Sequence, residues 1–262
     1  MPLNPPLSSH TLTNTLPLPV FQNEQDIGQA IKESKIPRED IFITSKISPY
    51  EQGTDMASAA VENILSRLST SYLDLLLIHW PGVSKLDPQS DENAQLRQKT
   101  WKVFENCCSS GKAKAIGVSN YEISHLEDLL SYATIKPAVN QIEVHPCFQN
   151  RQLRHYCSEK GIQVVAYASL GAGSLLDHPV VLDVVDKENK TGRQQLTPAQ
   201  VLLLWALHHQ CAVIPKSINP SRIQQFDPEI LLGTRKLSPE SISVLDAVTQ
   251  GDKVCWDPRI VK

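Results

Sequence analysis

Short apolar runs with little polar alternation recur along the chain at 41–46 (IFITSK), 73–80 (LDLLLIHW), 114–119 (KAIGVS), 137–143 (PAVNQIE), 163–168 (QVVAYA) and 212–216 (AVIPK). Runs of this kind fit parallel strands covered on both faces. Amphipathic segments lie between them at about 55–68, 93–109, 122–133, 150–160 and 197–209, with further helices near 23–33, 220–226 and 238–249. Strand followed by helix, repeated, predicts a parallel α/β sheet.

Polar residues close these runs: Thr44-Ser45-Lys46, His79-Trp80-Pro81, Ser119-Asn120, Gln141, Tyr167 and Lys216-Ser217. In a βα barrel the parallel strands deliver their C-terminal ends to one face, where a single active site is assembled. No Gly-rich phosphate turn follows a predicted strand, which disfavours an open doubly wound sheet. The expected fold is therefore α/β, of the (β/α)8 TIM-barrel type. Only six strand-helix units are legible where about eight are needed, so the barrel is expected to be incomplete at its N-terminus. Residues 1–20 hold five prolines among many Ser, Thr and Asn, a composition expected to give a divergent, extended or disordered tail. Residues 21–262 are expected to form one barrel domain, with the loops at 82–92, 171–179 and 227–237 as candidate pocket walls.

Composition narrows the partner. The chain has 262 residues, 41% of them hydrophobic, enough for a sizeable core. Its 25 basic and 28 acidic residues give a net charge of -3, which carries no footprint for nucleic acid or an anionic membrane. A small soluble ligand is the expected partner. Six cysteines without regular spacing fit reduced thiols in a cytoplasmic protein rather than a disulfide framework or zinc site, and no metal is expected. No Lys or Arg precedes Lys32 and prolines 17 and 19 interrupt the early apolar stretch, so no leader is expected.

Among the strand-end residues, Lys46 is the most costly placement, because a desolvated ammonium needs an anion or a shifted pKa; its bland alternative is a lysine snorkelling to the rim. His79, on the next strand, could orient or protonate a substrate oxygen, or be an ordinary core imidazole. Tyr167 offers a ring face for a nicotinamide, or a core position with its hydroxyl at the surface. Ser119, Asn120 and Gln141 could hydrogen-bond a carboxamide. Lys216, Ser217 and Arg222 place two cations and a hydroxyl around a strand-to-helix turn suited to a phosphate monoester, or to solvent.

With these residues in place the chain resembles the aldo-keto reductases from about Asn23 onward. The matching runs are Asn23-Glu24 with Ile27-Gly28, ITSK ending at Lys46, LDLLLIHWP from Leu73, GKAKAIGVSNY from Gly111, VNQIEVHP from Val139, Ala166-Tyr167, and IPKS from Ile214 followed by Arg222. The resemblance implies NADPH-dependent reduction of aldehydes or ketones by hydride transfer, on a barrel that needs no Rossmann motif. It implies a catalytic role for Lys46 and His79, a pocket wall at Trp80, carboxamide ligands at Ser119, Asn120 and Gln141, nicotinamide stacking at Tyr167, and a grip on the 2′-phosphate by Lys216, Ser217 and Arg222.

The pattern departs from the family at three places. Phe21 stands where the family's catalytic tyrosine is expected, and a phenyl ring has no proton to give a forming alkoxide. Leu16 stands where an aspartate is expected, and Phe226 where an asparagine usually contacts the adenine. Active-site chemistry then leaves His79 or water as proton source, with residual activity expected. Two other readings follow: a non-catalytic NADPH-binding or regulatory protein, or an unstable truncated isoform. The chain is expected to be a monomer if the barrel closes and a dimer through strand edges near 41–46 and 212–216 if it does not.

Overall fold

The computed structural model describes residues 23–192, 195–228, 231, 235–248, 251 and 253–262. Leu16, Phe21 and the tail at 1–20 lie outside the described residues, as does part of the loop at 227–237. Elements alternate as α1 (Glu24–Ser34), β1 (Thr44–Ile47), α2 (Thr54–Leu68), β2 (Leu73–Ile78), α3 (Glu92–Ser109), β3 (Ala113–Ser119), α4 (Ile123–Tyr132), β4 (Val139–Glu143), α5 (Arg151–Glu159), β5 (Gln163–Tyr167), α6 (Pro179–Lys190), α7 (Pro198–His208), β6 (Ala212–Val213), α8 (Pro220–Gln224) and α9 (Pro239–Asp246). The chain groups into two compact units, one reaching to Asn140 and taking in Asp257–Lys262, the other Gln141–Trp256.

In the first unit β1, β2 and β3 lie side by side and parallel, with Lys46 opposite Leu77 and Leu77 opposite Gly117. All six residues of β2 are buried, as its unbroken apolar run requires. Asp74 is the polar exception within that run. Burial would raise its pKa, but the N–H of Ile43, Lys114 and Arg38 outweigh it and hold the carboxyl below its ordinary value. Its oxygens accept from Ile43 N at 2.9 Å, Lys114 Nζ at 2.9 Å and Arg38 Nη1 at 2.9 Å. Gly117 is fixed by close approach, since a Cβ there would sit 2.6 Å from the Val139 carbonyl oxygen.

β4 carries the chain into the second unit, where β5 pairs with β6 in parallel. α6, α7, α8 and α9 each begin with a proline, whose fixed φ and missing N–H suit the first helical position. α7 is further set by a reciprocal Thr197–Gln200 capping box and is buried from Gln200 to Ala206. α6 is an addition to the elements read from periodicity: only Val181, Val184 and Glu188 of its residues are buried, a stripe too narrow to stand out. β6 is shorter than the expected 212–216. Pro215 has no N–H for a ladder, and Ile214 is 47% exposed. β1 begins at Thr44 rather than at 41, and Phe42 is exposed.

Candidate active site

Lys46 is the third residue of β1, and His79 follows directly on β2 with its N–H donating to the Ile47 carbonyl at 3.1 Å. Parallel pairing thus sets an ammonium and an imidazole at the same end of neighbouring strands. Burial lowers the Lys46 pKa. Burial first, and then the charge of Lys46, push His79 down to about 4. At neutral pH His79 is therefore a neutral imidazole, able to donate one hydrogen bond but holding almost no transferable extra proton. Of the two roles expected for His79, a neutral imidazole suits orienting the substrate oxygen through a hydrogen bond better than protonating it.

The turn after β2 is held from several sides. Asn120 Nδ2 donates to the His79 carbonyl at 3.0 Å and to Ser119 Oγ at 3.1 Å. Asn120 sits at φ 63°, a left-handed conformation that asparagine tolerates better than most residues. Gln52 Nε2 reaches the carbonyls of Trp80 and Gly82 at 2.9 and 2.8 Å, and buried Arg97 donates to that of Pro81 at 3.1 Å. Asn140 Nδ2 donates to the Tyr121 carbonyl at 2.9 Å and supports the turn after β3. Gln52 and Arg97 carry this framework without a motif of their own in the sequence, whereas Asn140 lies within the VNQIEVHP run. Ser119 and Asn120 are buried beside His79, and Trp80 is partly buried on the same turn.

In the second unit Gln141 is buried in the middle of β4, not at its end. Two residues on, Glu143 is fully buried, and its carboxylate collects four donors: His145 Nε2 at 3.1 Å, Lys253 Nζ at 2.7 Å, Val254 N at 2.6 Å and Cys255 N at 3.1 Å. Burial alone would raise its pKa, yet the hydrogen bonds of His145 and Lys253 prevail and hold it at about 2. Lys253 Nζ also donates to Tyr167 Oη at 3.2 Å, at the end of β5. Burial, the first of several causes, raises the Tyr167 pKa, so this phenol is a poor proton donor. Glu143 and Lys253 were not among the expected site residues. The signal that singled out Lys46, a charge at the end of a buried strand, applies equally to Glu143.

Lys216 and Ser217 lie beyond β6 and line a groove of about 610 Å³ with Pro215, Ile223, Phe226 and Asp227. Arg222 lies on α8, exposed to solvent. The helix N-terminus contributes less than expected: α8 has five residues and starts with Pro220, and Asn219 Oδ1 already accepts from Ser221 N at 3.0 Å. Lys216 and Ser217 place a cation and a hydroxyl in the groove, and Ser217 Oγ accepts from Asn219 N at 3.1 Å. Among the described residues no cluster of His, Cys, Asp and Glu could hold a metal ion, and no helix is long and apolar enough to cross a membrane.

Comparison with known proteins gives the family and the fold. A profile described as "Aldo/keto reductase family" matches residues 19–250. Glyoxal reductase of Bacillus subtilis (strain 168) is 41% identical over 243 residues, covering 91% of this chain and 79% of the relative. Among solved structures, MGS-M4, an aldo-keto reductase from a Medee basin deep-sea metagenome library, superposes with TM-score 0.79 at 36% identity, covering 92% of this chain and 83% of that one. An aldo-keto reductase, AKR2E5, complexed with NADPH gives TM-score 0.75 at 29% identity, covering 89% and 72%. The fold is α/β of the (β/α)8 type, with six strands among the described residues, and the chain belongs to the aldo-keto reductase family.

Proposed function

We propose that this chain is an NADPH-dependent reductase of small aldehydes and ketones, and that its strand-end pair of Lys46 and His79 handles the carbonyl oxygen. The observation that carries the reading is the placement of a desolvated ammonium beside a neutral imidazole on β1 and β2. The groove at Lys216 and Ser217 fits a phosphate, the Phe226 ring gives a base a face to lie on, and Asp227 in the same groove opposes an anion and confines it to the Lys216 side. Ser119, Asn120 and Gln141 are the carboxamide partners in this reading, Tyr167 the nicotinamide wall, Trp80 the substrate wall and Arg222 a further phosphate contact. The bound cofactor supplies the hydride that adds to the carbonyl carbon.

The residues of the chain then have to steady the oxygen as it becomes an alkoxide. His79, neutral, donates a hydrogen bond to it. Lys46 carries the positive charge that the developing oxyanion attracts, and burial strengthens that attraction. Because the His79 pKa is about 4, the proton is delivered by the Lys46 ammonium or by water. Phe21 offers no phenolic proton, so the rate is expected to lie about 10² to 10⁴ below that of a site with a positioned acid.

The test is oxidation of NADPH with a panel of small aldehydes, glyoxal included, by the purified chain and by Lys46→Met. Turnover by the unaltered chain that Lys46→Met lacks is expected. No turnover in either, with saturable NADPH binding intact, overturns the catalytic reading in favour of a non-catalytic NADPH-binding protein.

A further inference from the structure

We propose that Glu143 and Lys253 are positioning residues that fix the Tyr167 ring, with the segment 253–255 held against the end of β4 as the third part of the device. The fully buried Glu143 carboxylate is at the centre. Its Oε1 accepts from His145 Nε2 and Val254 N, and its Oε2 from Lys253 Nζ and Cys255 N. Four donors on two oxygens satisfy a buried carboxylate, and two of them are backbone groups of the segment from the far end of the chain.

Lys253 is the link from this anchor to Tyr167. Its side chain is 8% exposed, and its Nζ spans Glu143 Oε2 at 2.7 Å and Tyr167 Oη at 3.2 Å. The ammonium also lies 5.3 Å from the centre of the Phe148 ring and 5.5 Å from that of Tyr167, distances at which ring faces attract a cation. The ammonium is thus held by the Glu143 carboxylate and the Phe148 ring independently of Tyr167, and from there it donates to the phenol oxygen. The main chain of β4 is tied in as well, because Asn150 Nδ2 donates to the Glu143 carbonyl at 2.9 Å.

Tyr167 is not the proton donor that Phe21 fails to be. A phenol whose pKa is raised releases its proton less readily. Its part is to present a ring at a set angle, and the hydrogen bonds at the para oxygen, from Lys253 Nζ and with the Cys255 thiol of the same anchored segment, are the points from which to set it. The consequence for cofactor binding rests on the reading of Tyr167 as the nicotinamide wall; the positioning itself does not.

The experiment uses the full chain with ring-13C tyrosine, its Tyr167 signal assigned by loss in Tyr167→Phe, together with titration of NADPH by nicotinamide fluorescence. Lys253→Met is expected to move the Tyr167 signal selectively among the six tyrosines. The same change is expected to weaken NADPH on the order of tenfold, corresponding to one such hydrogen bond. Lys253→Arg, which retains the charge, is expected to restore most of the affinity. In a Tyr167→Phe background Lys253→Met should cost nothing further, since the hydroxyl it addressed is gone. An unmoved Tyr167 signal, or additive losses in the double variant, overturns the proposal. If the unaltered chain does not bind NADPH, the cofactor reading falls and the tyrosine signal alone decides the positioning. If Lys253→Met does not fold, Lys253→Gln decides on the tyrosine signal: an unmoved Tyr167 signal there overturns the positioning, and unchanged NADPH affinity in Tyr167→Phe overturns its consequence for the cofactor.

Discussion

The end of β1 and β2 in the first unit and the end of β4 and β5 in the second both take charge out of water, and they respond in opposite ways. At Lys46 and His79 burial dominates, so both cationic groups are pushed toward neutrality. At Glu143 burial is outweighed by four donors, and the carboxylate is held in its charged form with a pKa of about 2. Desolvation alone does not predict a perturbed acid or base; the local supply of partners sets its sign. The first arrangement keeps chemical potential at a strand end, and the second turns a similar burial into rigidity.

The sharpest way to break this contrast is to remove the carboxylate. Glu143→Ala leaves the Lys253 ammonium and the Val254 and Cys255 N–H groups without their acceptor, and a loss of about 3–5 kcal/mol is expected in urea unfolding. Lys46→Met should do the reverse. A depressed lysine pKa means that the charged form costs stability at all pH below its folded pKa, so the variant is expected to be at least as stable as the parent, while aldehyde reduction falls by about 10² or more. A large loss of stability in Lys46→Met would show that this ammonium is a structural pair like Lys253.

Acid titration separates the two regions without removing a charge from the second. His79 has a folded pKa of about 4 against an ordinary 6.5, so the unfolded state binds the extra proton first. Stability is then expected to fall as pH drops from 6.5 to about 4, by at most about 3 kcal/mol. Glu143 acts lower: its contribution is complete above 4.5 and is lost as pH falls toward 2. Unfolding free energies of the parent and His79→Gln should differ in slope only in the upper window. Equal slopes there would mean that His79 is not desolvated. The smallest effect is expected from Phe21→Tyr, less than about tenfold in reduction rate, because Leu16 still stands where the aspartate partner is expected.

Much of the strand-end set was legible because burial of a charge is written locally. Lys46 closes ITSK and His79 closes LDLLLI, and both lie where parallel pairing brings their strand ends together. Glu143 carried the same signal within VNQIE, but its partner Lys253 lies 110 residues away in a short polar stretch with no pattern of its own. Helix α6 was hidden for another reason, since its buried stripe is narrow and Leu182 on its outer side is 41% exposed. The shortened β6 was readable in principle, because Pro215 cannot donate to a ladder.

The sequence by itself determined the α/β alternation, the family and the strand-end positions of Lys46, Ser119 and Tyr167, since these follow from local periodicity and from motifs a few residues long. Only the tertiary structure decided the protonation of His79, the charge state of Glu143 and the attachment of residues 253–255. Each of these is set by groups distant in sequence, through burial and hydrogen bonding that exist only once the chain is folded.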